Sequence, residues 1–172
     1  MKLIFLLTLL FYFATARASM APRMYSIMAQ VSGTINQNTD FNQSPIYNNK
    51  VSLEALYLVR DGPTFGGRYI IEARSEIEST AGQAYGPMAG YYSERGFFFL
   101  FTYDVFAKLG RWTNGEGFEV DLGWIEHIGH QIHVGAKYSY RNMRYKTDIS
   151  DSTAEKKDIR EYFPSFVVNY LF

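Results

Sequence analysis

Residues 132–141 read IHVGAKYSYR, and this stretch decides the class of fold. Apolar and polar or small residues take turns along it: Ile132, Val134, Ala136, Tyr138 and Tyr140 on one face, and His133, Gly135, Lys137, Ser139 and Arg141 on the other. Successive side chains of a β-strand point to opposite faces of the sheet. The alternation therefore predicts a strand with one apolar face and one polar face.

The same period of two recurs along most of the chain. It indicates eight strands in all, near residues 25–32, 51–60, 68–78, 84–92, 97–108, 118–124, 132–141 and 162–172. A few apolar residues interrupt the polar faces: Leu56, Leu58, Ile70, Phe98, Leu100 and Phe106. No helical period and no internal repeat beyond the hairpin is found, so the sequence predicts an all-β fold of antiparallel neighbours.

The connections between these strands alternate in length. Long polar segments occupy residues 36–50 and 146–161, whereas residues 61–67, 93–96 and 126–130 are short. Gly82 and the pair Asn114-Gly115 mark two further turns. If the first strand rises from the periplasm, the short turns at residues 61–67, 93–96 and 126–130 all lie at the periplasmic end. Both long loops then lie outside. This asymmetry is typical of an outer-membrane barrel.

The first residues have the layout of a secretory signal peptide. Lys2 precedes the apolar run at residues 3–13, and Ala16-Arg17-Ala18 supplies small residues for cleavage. An apolar run of this length is too short for a membrane-spanning helix. We predict a signal peptide at residues 1–18 and one exported barrel domain at residues 19–172.

The composition excludes several classes of function. The 172 residues contain 17 Lys and Arg, 17 Asp and Glu, and no Cys. A balanced charge gives no basic field for nucleic acid. The absence of Cys rules out disulfides and cysteine-ligated zinc. No cofactor is expected.

Alternation alone does not say which face points outward, because a soluble lipocalin-like barrel has the same pattern turned inside out. The polar face carries charges of both signs, which can pair across a narrow lumen, whereas an Arg or Lys in mid-membrane would cost about 2–4 kcal/mol. We therefore predict a charge network in the lumen, formed by Glu54, Arg68, Glu72, Arg74, Glu76, Asp104, Glu119, Asp121, Lys137 and Arg141.

Aromatic residues of the apolar face gather near the predicted periplasmic strand ends. Aromatic rings favour the membrane interface, where they gain apolar contact and hydration together. We predict an interfacial girdle formed by Tyr25, Tyr57, Tyr69, Tyr91, Phe97, Trp124, Tyr170 and Phe172. The expected fold is thus an eight-stranded antiparallel up-and-down transmembrane β-barrel in a Gram-negative-type outer membrane.

The end of the chain carries a resemblance to a known class. Its alternating Phe166, Val168, Tyr170 and terminal Phe172 resemble the C-terminal signature of bacterial outer-membrane barrels. The resemblance implies that the barrel-assembly machinery reads this strand as an insertion signal. Residues 84–97, AYGPMAGYYSERGF, also resemble the fourth strand, tight turn and fifth strand of the small OmpX/Ail-type, OmpA-like barrels. Pro164 departs from the pattern, because proline lacks a ladder donor, and it predicts fraying of the last strand's upper end.

An eight-stranded barrel is just wide enough for side chains to fill it. We therefore expect a plugged lumen and a structural or surface-interaction role in adhesion or the cell envelope. The expected partners are outer-membrane lipid and lipopolysaccharide, together with a surface ligand at the outer loops. The rim residues Arg141, Arg144 and Lys146 are candidates for contact with lipid phosphates. The alternatives are a lipid A-modifying enzyme (a deacylase or acyltransferase) and a small ion-conducting pore.

A hydrolase would need a nucleophile beside a base. The candidates are His127, His130 and His133, with Ser139 or Ser165. None of the three histidines belongs to the His-x-Ser arrangement of the lipid A deacylases, and all lie near the predicted periplasmic end. Their spacing of three residues places neighbours on opposite faces of a strand, which does not suit a shared metal. We therefore expect no catalytic residue, no metal site and no enzyme activity.

Overall fold

The computed structural model describes residues 25–38, 46–59, 62–74, 81–110, 112–128, 131–148 and 156–172. The predicted signal peptide, Glu76 and His130 lie outside the described residues. Nine strands follow one another in this part of the chain: β1 (Tyr25–Asn38), β2 (Ile46–Val59), β3 (Pro63–Arg74), β4 (Gly82–Tyr92), β5 (Phe97–Leu109), β6 (Trp112–His127), β7 (Ile132–Tyr145), β8 (Thr147–Asp148) and β9 (Lys157–Leu171). Among the described residues, no helix is long and apolar enough to cross a membrane.

Eight of these strands close into a barrel. Each strand from β1 to β7 pairs antiparallel with its neighbour in sequence, β7 pairs with β9, and β9 pairs back with β1. The two-residue β8 extends the sheet by pairing with the first residues of β6. The predicted eight-stranded antiparallel barrel is confirmed. The short strand β8 was not predicted, because two residues are too few to show an alternation.

The two faces of the sheet differ as the alternation predicts. Outward side chains in mid-strand, such as Val51, Leu53 and Phe101, are 43–50% exposed, while the lumen residues between them are buried. The charged face therefore points inward and the apolar face outward. A soluble lipocalin-like barrel would have the opposite arrangement.

Several strand limits differ from the sequence-based prediction. β3 begins at Pro63, because Gly62, with φ of +99°, reverses the chain directly after β2. β5 ends at Leu109 and Gly110 follows it with φ of +58°, whereas Asn114 lies inside β6 with φ of +49°. Both long outer connections are also shorter than predicted, since β2 begins at Ile46 and β9 at Lys157.

A bulge in β5 changes which residues face the lumen. Its pairing with β6 slips between Asp104 and Ala107. As a result Ala107 is buried in the lumen and Phe106 lies on the outer face, where its ring stacks on Tyr85 with centroids 5.2 Å apart. The prediction that Phe106 shares a face with Asp104 was therefore wrong, because strict alternation fails across an extra residue.

The seam between β1 and β9 is the shortest ladder that closes the barrel. It contains six residue pairs, from Met28–Leu171 to Gly33–Phe166, whereas β9 pairs with β7 over fourteen. The Phe172 amide donates to the Ile27 carbonyl, so even-numbered residues of β9 direct their backbone groups toward β1. Pro164 is one of them, and its carbonyl accepts a hydrogen bond from Thr34 Oγ1. Proline has no N–H to give to Ile35, the next position in register, and the ladder ends there.

The prediction that Pro164 frays the upper end of β9 was wrong for the edge that pairs with β7. The pairing with β7 continues past Pro164 to Lys157. The proline therefore opens one edge of the strand and leaves the other intact.

The substitution Pro164→Val tests this account of the seam. The restored amide is expected to pair with Ile35 and to stabilise the barrel by about 1 kcal/mol, the usual net value of one hydrogen bond. Hydrogen exchange should show a protected amide at residue 164, and the unfolding temperature should rise. Fast exchange at that amide, at the rate of an unpaired edge position, would show that the proline does not end the ladder.

Candidate functional site: the charged belt of the lumen

The lumen contains a ring of charged side chains at mid-height, which we call the belt. It consists of five cations and five anions, contributed by β2, β3, β5, β6 and β7: Lys50, Arg68, Arg74, Lys137 and Arg141 with Glu54, Glu72, Asp104, Glu119 and Asp121. Each belongs to the inward-facing set of its strand. The belt carries no net formal charge, which reduces the cost of burying so many ionised groups.

Lys137 is the cation of the lower half of the belt. Its Nζ lies 2.9 Å from Glu54 Oε1 and 3.0 Å from Asp121 Oδ2. Both carboxylates have further donors, since Gln30 donates to Glu54 and Ser139 donates to Asp121. Four strands, β1, β2, β6 and β7, are thereby tied together across the lumen.

Two arginines serve the upper half. Arg68 Nη2 lies 3.0 Å from Asp104 Oδ2, and its Nη1 pairs with Glu119. Arg141 Nη1 lies 2.9 Å from Glu72 Oε2. Every anion of the belt thus has a cation within 4 Å. Guanidinium groups suit this role, because one planar fork can serve two carboxylates.

The structure places nine of the ten predicted network residues in the belt, and the tenth, Glu76, lies outside the described residues. Arg74 stands at the outer end, where its Nη2 lies 2.6 Å from Glu161 Oε1. The prediction missed Lys50, whose Nζ lies 3.7 Å from Glu119 Oε2 and 3.5 Å from the centre of the Phe163 ring. The alternation Lys50, Ser52, Glu54 could have identified it, but residue 50 was assigned to a loop.

Apolar side chains seal the lumen below and above the belt. The lower plug is a cluster from six strands: Met28, Leu56, Leu58, Met88, Tyr92, Phe98, Leu100, Ile125 and Val167. The upper plug consists of Ile70, Ala84, Ala107, Leu109, Met143 and Tyr145, with Trp112 and Ile159 packed against them. Most apolar interruptions of the polar faces belong to these plugs. The belt is therefore enclosed between two layers of apolar side chains.

The two described histidines lie near the end of β6 and the start of β7, at the end predicted to be periplasmic and away from the belt. His127 and His133 face each other across β6 and β7, with Nδ1 and Nε2 2.9 Å apart. No described serine hydroxyl is bonded to either ring. Within the described part of the chain, no group of three potential ligands could hold a metal ion.

The outer surface places most of the predicted girdle near the periplasmic turns. Tyr57, Tyr91, Phe97, Trp124, Tyr170 and Phe172 lie within three residues of a strand end at that side. Only the backbone of Tyr25 is described. Tyr69 was wrongly assigned, because it lies six residues above the start of β3; Phe65, stacked on Tyr57 with centroids 5.8 Å apart, takes its place.

These observations identify the kind of molecule. A closed sheet satisfies its backbone internally, its outer face is apolar in mid-strand, and the charges at mid-height lie inside the lumen. Such a barrel suits a lipid bilayer and not water. The chain is an integral β-barrel of the outer-membrane type. In its last strand, four alternating side chains face outward: Phe166, Val168, Tyr170 and Phe172.

Comparison with solved structures finds other barrels. Neisserial surface protein A is 15% identical, over 87% of this chain and 98% of that chain, with a TM-score of 0.48. Outer-membrane expressed OmpT of Vibrio cholerae is 16% identical, over 87% of this chain and 52% of its own, with a TM-score of 0.34. This chain therefore spans about half the length of OmpT. No family model and no curated protein matches the chain.

Removing Lys137, the cation of the lower half of the belt, should destabilise the barrel strongly. Lys137→Met leaves Glu54 and Asp121 buried without their cation, an effect of about 3–5 kcal/mol. The urea midpoint of unfolding in lipid vesicles, or the temperature at which the folded gel band disappears, measures it. The matched control is Arg144→Met, which breaks the exposed pair with Asp158 (3.0 Å) and should cost about 1 kcal/mol or less. Equal effects of the two variants would contradict the enclosed belt.

Proposed function

We propose that this barrel is a non-conducting, non-enzymatic protein whose working surface is its outside: the lipid-facing wall and the outer rim. The observation that carries the proposal is the double seal of the lumen. A polar path through the barrel would have to pass two apolar plugs and a neutral belt in which every anion is paired. Side chains alone fill the interior of a barrel of eight strands.

The outer rim supports the proposed role in surface contact. A tilted strand crosses the membrane with about 9–11 residues, whereas β1 has 14, β6 has 16 and β9 has 15. The periplasmic turns are tight, so the surplus residues project outward. There Arg144 pairs with Asp158, and Lys146 with Glu116. The projecting strands form a rigid platform for the outer loops, on which an adhesive or envelope contact is expected.

The same rim and wall would contact the lipids of the outer leaflet. We propose outer-membrane lipid and lipopolysaccharide as the constant partners, and the barrel-assembly machinery as the transient partner of β9. A macromolecular surface ligand would bind at the loops.

Electrical measurement tests the sealed lumen directly. In a planar bilayer the folded chain should add no steady conductance, because both plugs exclude water. The double variant Phe98→Ala/Leu109→Ala removes one large side chain from each of the two plugs. Its conductance should still be lower than that of a wide pore, since the belt remains. Large steady currents from the unaltered protein would overturn the proposal.

Mass analysis of lipid A tests the absence of enzyme activity. Cells with and without the protein should show the same acyl pattern, because no serine among the described residues is bonded to the facing His127 and His133 rings. The control variant is His127→Ala, which should also leave the pattern unchanged. A changed pattern that disappears in His127→Ala would establish a lipid A-modifying enzyme instead.

A further inference from the structure

The outer wall contains a groove across β2, β3, β4 and β5. Its volume is about 580 Å³, and its surface is almost entirely apolar. The floor is formed by Ala55, Gly67 and Pro87, which are neighbours in the pairing register. Leu53 and Tyr69 form part of its walls. On a lipid-facing surface a depression of this size must be filled by part of a membrane lipid.

The floor of the groove is open at Gly67. A Cβ built there meets nothing closer than the Gly86 carbonyl at 3.8 Å, so the depression results from a missing side chain and not from a strained backbone. A bulge in the pairing of β4 with β5, between Tyr85 and Met88, lies beside it. The groove is thus a local feature of this wall.

A cation stands above the groove. The β5 bulge turns Lys108 to the outer face, where it is paired in register with Gln83. The Tyr69 hydroxyl, at the groove wall, donates to Gln83 Oε1 at 3.0 Å. Lys108 lies eleven residues above Phe97, or about 28 Å in height at the usual strand rise and tilt, which is the level of the outer headgroups.

Two outward cations of the rim differ from Lys108. Arg144 and Lys146 have acidic partners in Asp158 and Glu116. Among the described acids, none forms an ion pair with Lys108. Val105, at the edge of the groove, is three residues away, or about 10 Å along the strand. A headgroup phosphate at Lys108 would therefore place its acyl chain at the upper edge of the groove, from which the chain runs down the wall toward Gly67.

We propose that this wall binds one lipopolysaccharide molecule, with an acyl chain in the groove and a lipid A phosphate at Lys108. The inference rests on the outer-membrane placement in the proposed function. In a bilayer the acyl chain gains no hydrophobic transfer energy, so selectivity comes from close packing in the groove and from the phosphate–ammonium pair.

The test measures lipid retention by the full-length folded barrel. Native mass spectrometry from detergent, with added lipid A, phosphatidylglycerol or phosphatidylcholine, should show one lipid A retained most tightly. Gly67→Leu fills the groove and should weaken retention by about fivefold or more, since the chain loses its packing contacts. Lys108→Gln should weaken it by about fivefold, the usual effect of one interfacial cation.

Gly33→Leu is the matched control. Gly33 is an outward glycine on β1, outside the groove, with no atom closer to its Cβ position than 3.9 Å. Its substitution should change retention by less than about twofold, because no packed chain is displaced. Equal loss in Gly33→Leu and Gly67→Leu, unchanged retention in Gly67→Leu, or equal retention of phosphatidylglycerol would each overturn the proposal.

The proposed function fails by a different observation. If the processed chain is recovered from cells in the aqueous fraction, the placement in the outer membrane is lost together with the groove. A membrane-inserted barrel that retains lipid A no better than the other lipids loses only the groove.

Discussion

The need to pair every backbone N–H and C=O within lipid governs this molecule. An unpaired group in hydrocarbon costs several kcal/mol, so the sheet must close. Eight strands close at a radius that leaves a lumen only as wide as its side chains. Inward charges are thereby forced into contact, and they must balance one another. The neutral belt, with Lys137 between Glu54 and Asp121, is a consequence of closure as much as of sequence.

Closure also explains where the chain can tolerate an unpaired edge. The β1–β9 ladder ends where Pro164 meets β1, above six residue pairs. Beyond this point side chains join β9 to β2 and β3: Lys50 lies over the Phe163 ring, and Arg74 pairs with Glu161. The edge lies near the outer interface, where water and headgroups can satisfy the backbone. Proline is therefore acceptable in β9 at this height.

The sequence predicted the strands and their faces well, because a period of two is a local property that needs no knowledge of neighbours. It predicted nine belt positions for the same reason. Lys50 was missed because a loop boundary was placed too late in the chain. Tyr69 and Asn114 were misplaced for a similar reason, since β3 begins at Pro63 and β6 at Trp112, earlier than predicted. The error at Phe106 has another cause: a bulge adds one residue, and the residues after it change face. Such irregularities depend on the neighbouring strand, as in the slip between Asp104 and Ala107.

Alternation also contains no information on side-chain size, and size distinguishes one wall of this barrel from the other. Phe118, Tyr140 and Tyr162 form a row of aromatic contacts across β6, β7 and β9, with centroids 5.9 and 4.8 Å apart. The wall of β2, β3 and β4 has the small outward residues Ala55 and Gly67 in the floor of its groove. A uniform coat of acyl chains fits a smooth cylinder, but it cannot pack equally well against a raised aromatic wall and a depressed one. Because lipid tails attract every apolar surface alike, shape and interfacial charge are the remaining means of choosing a neighbour. A sealed barrel can be specific only on the outside, and its asymmetry lies there.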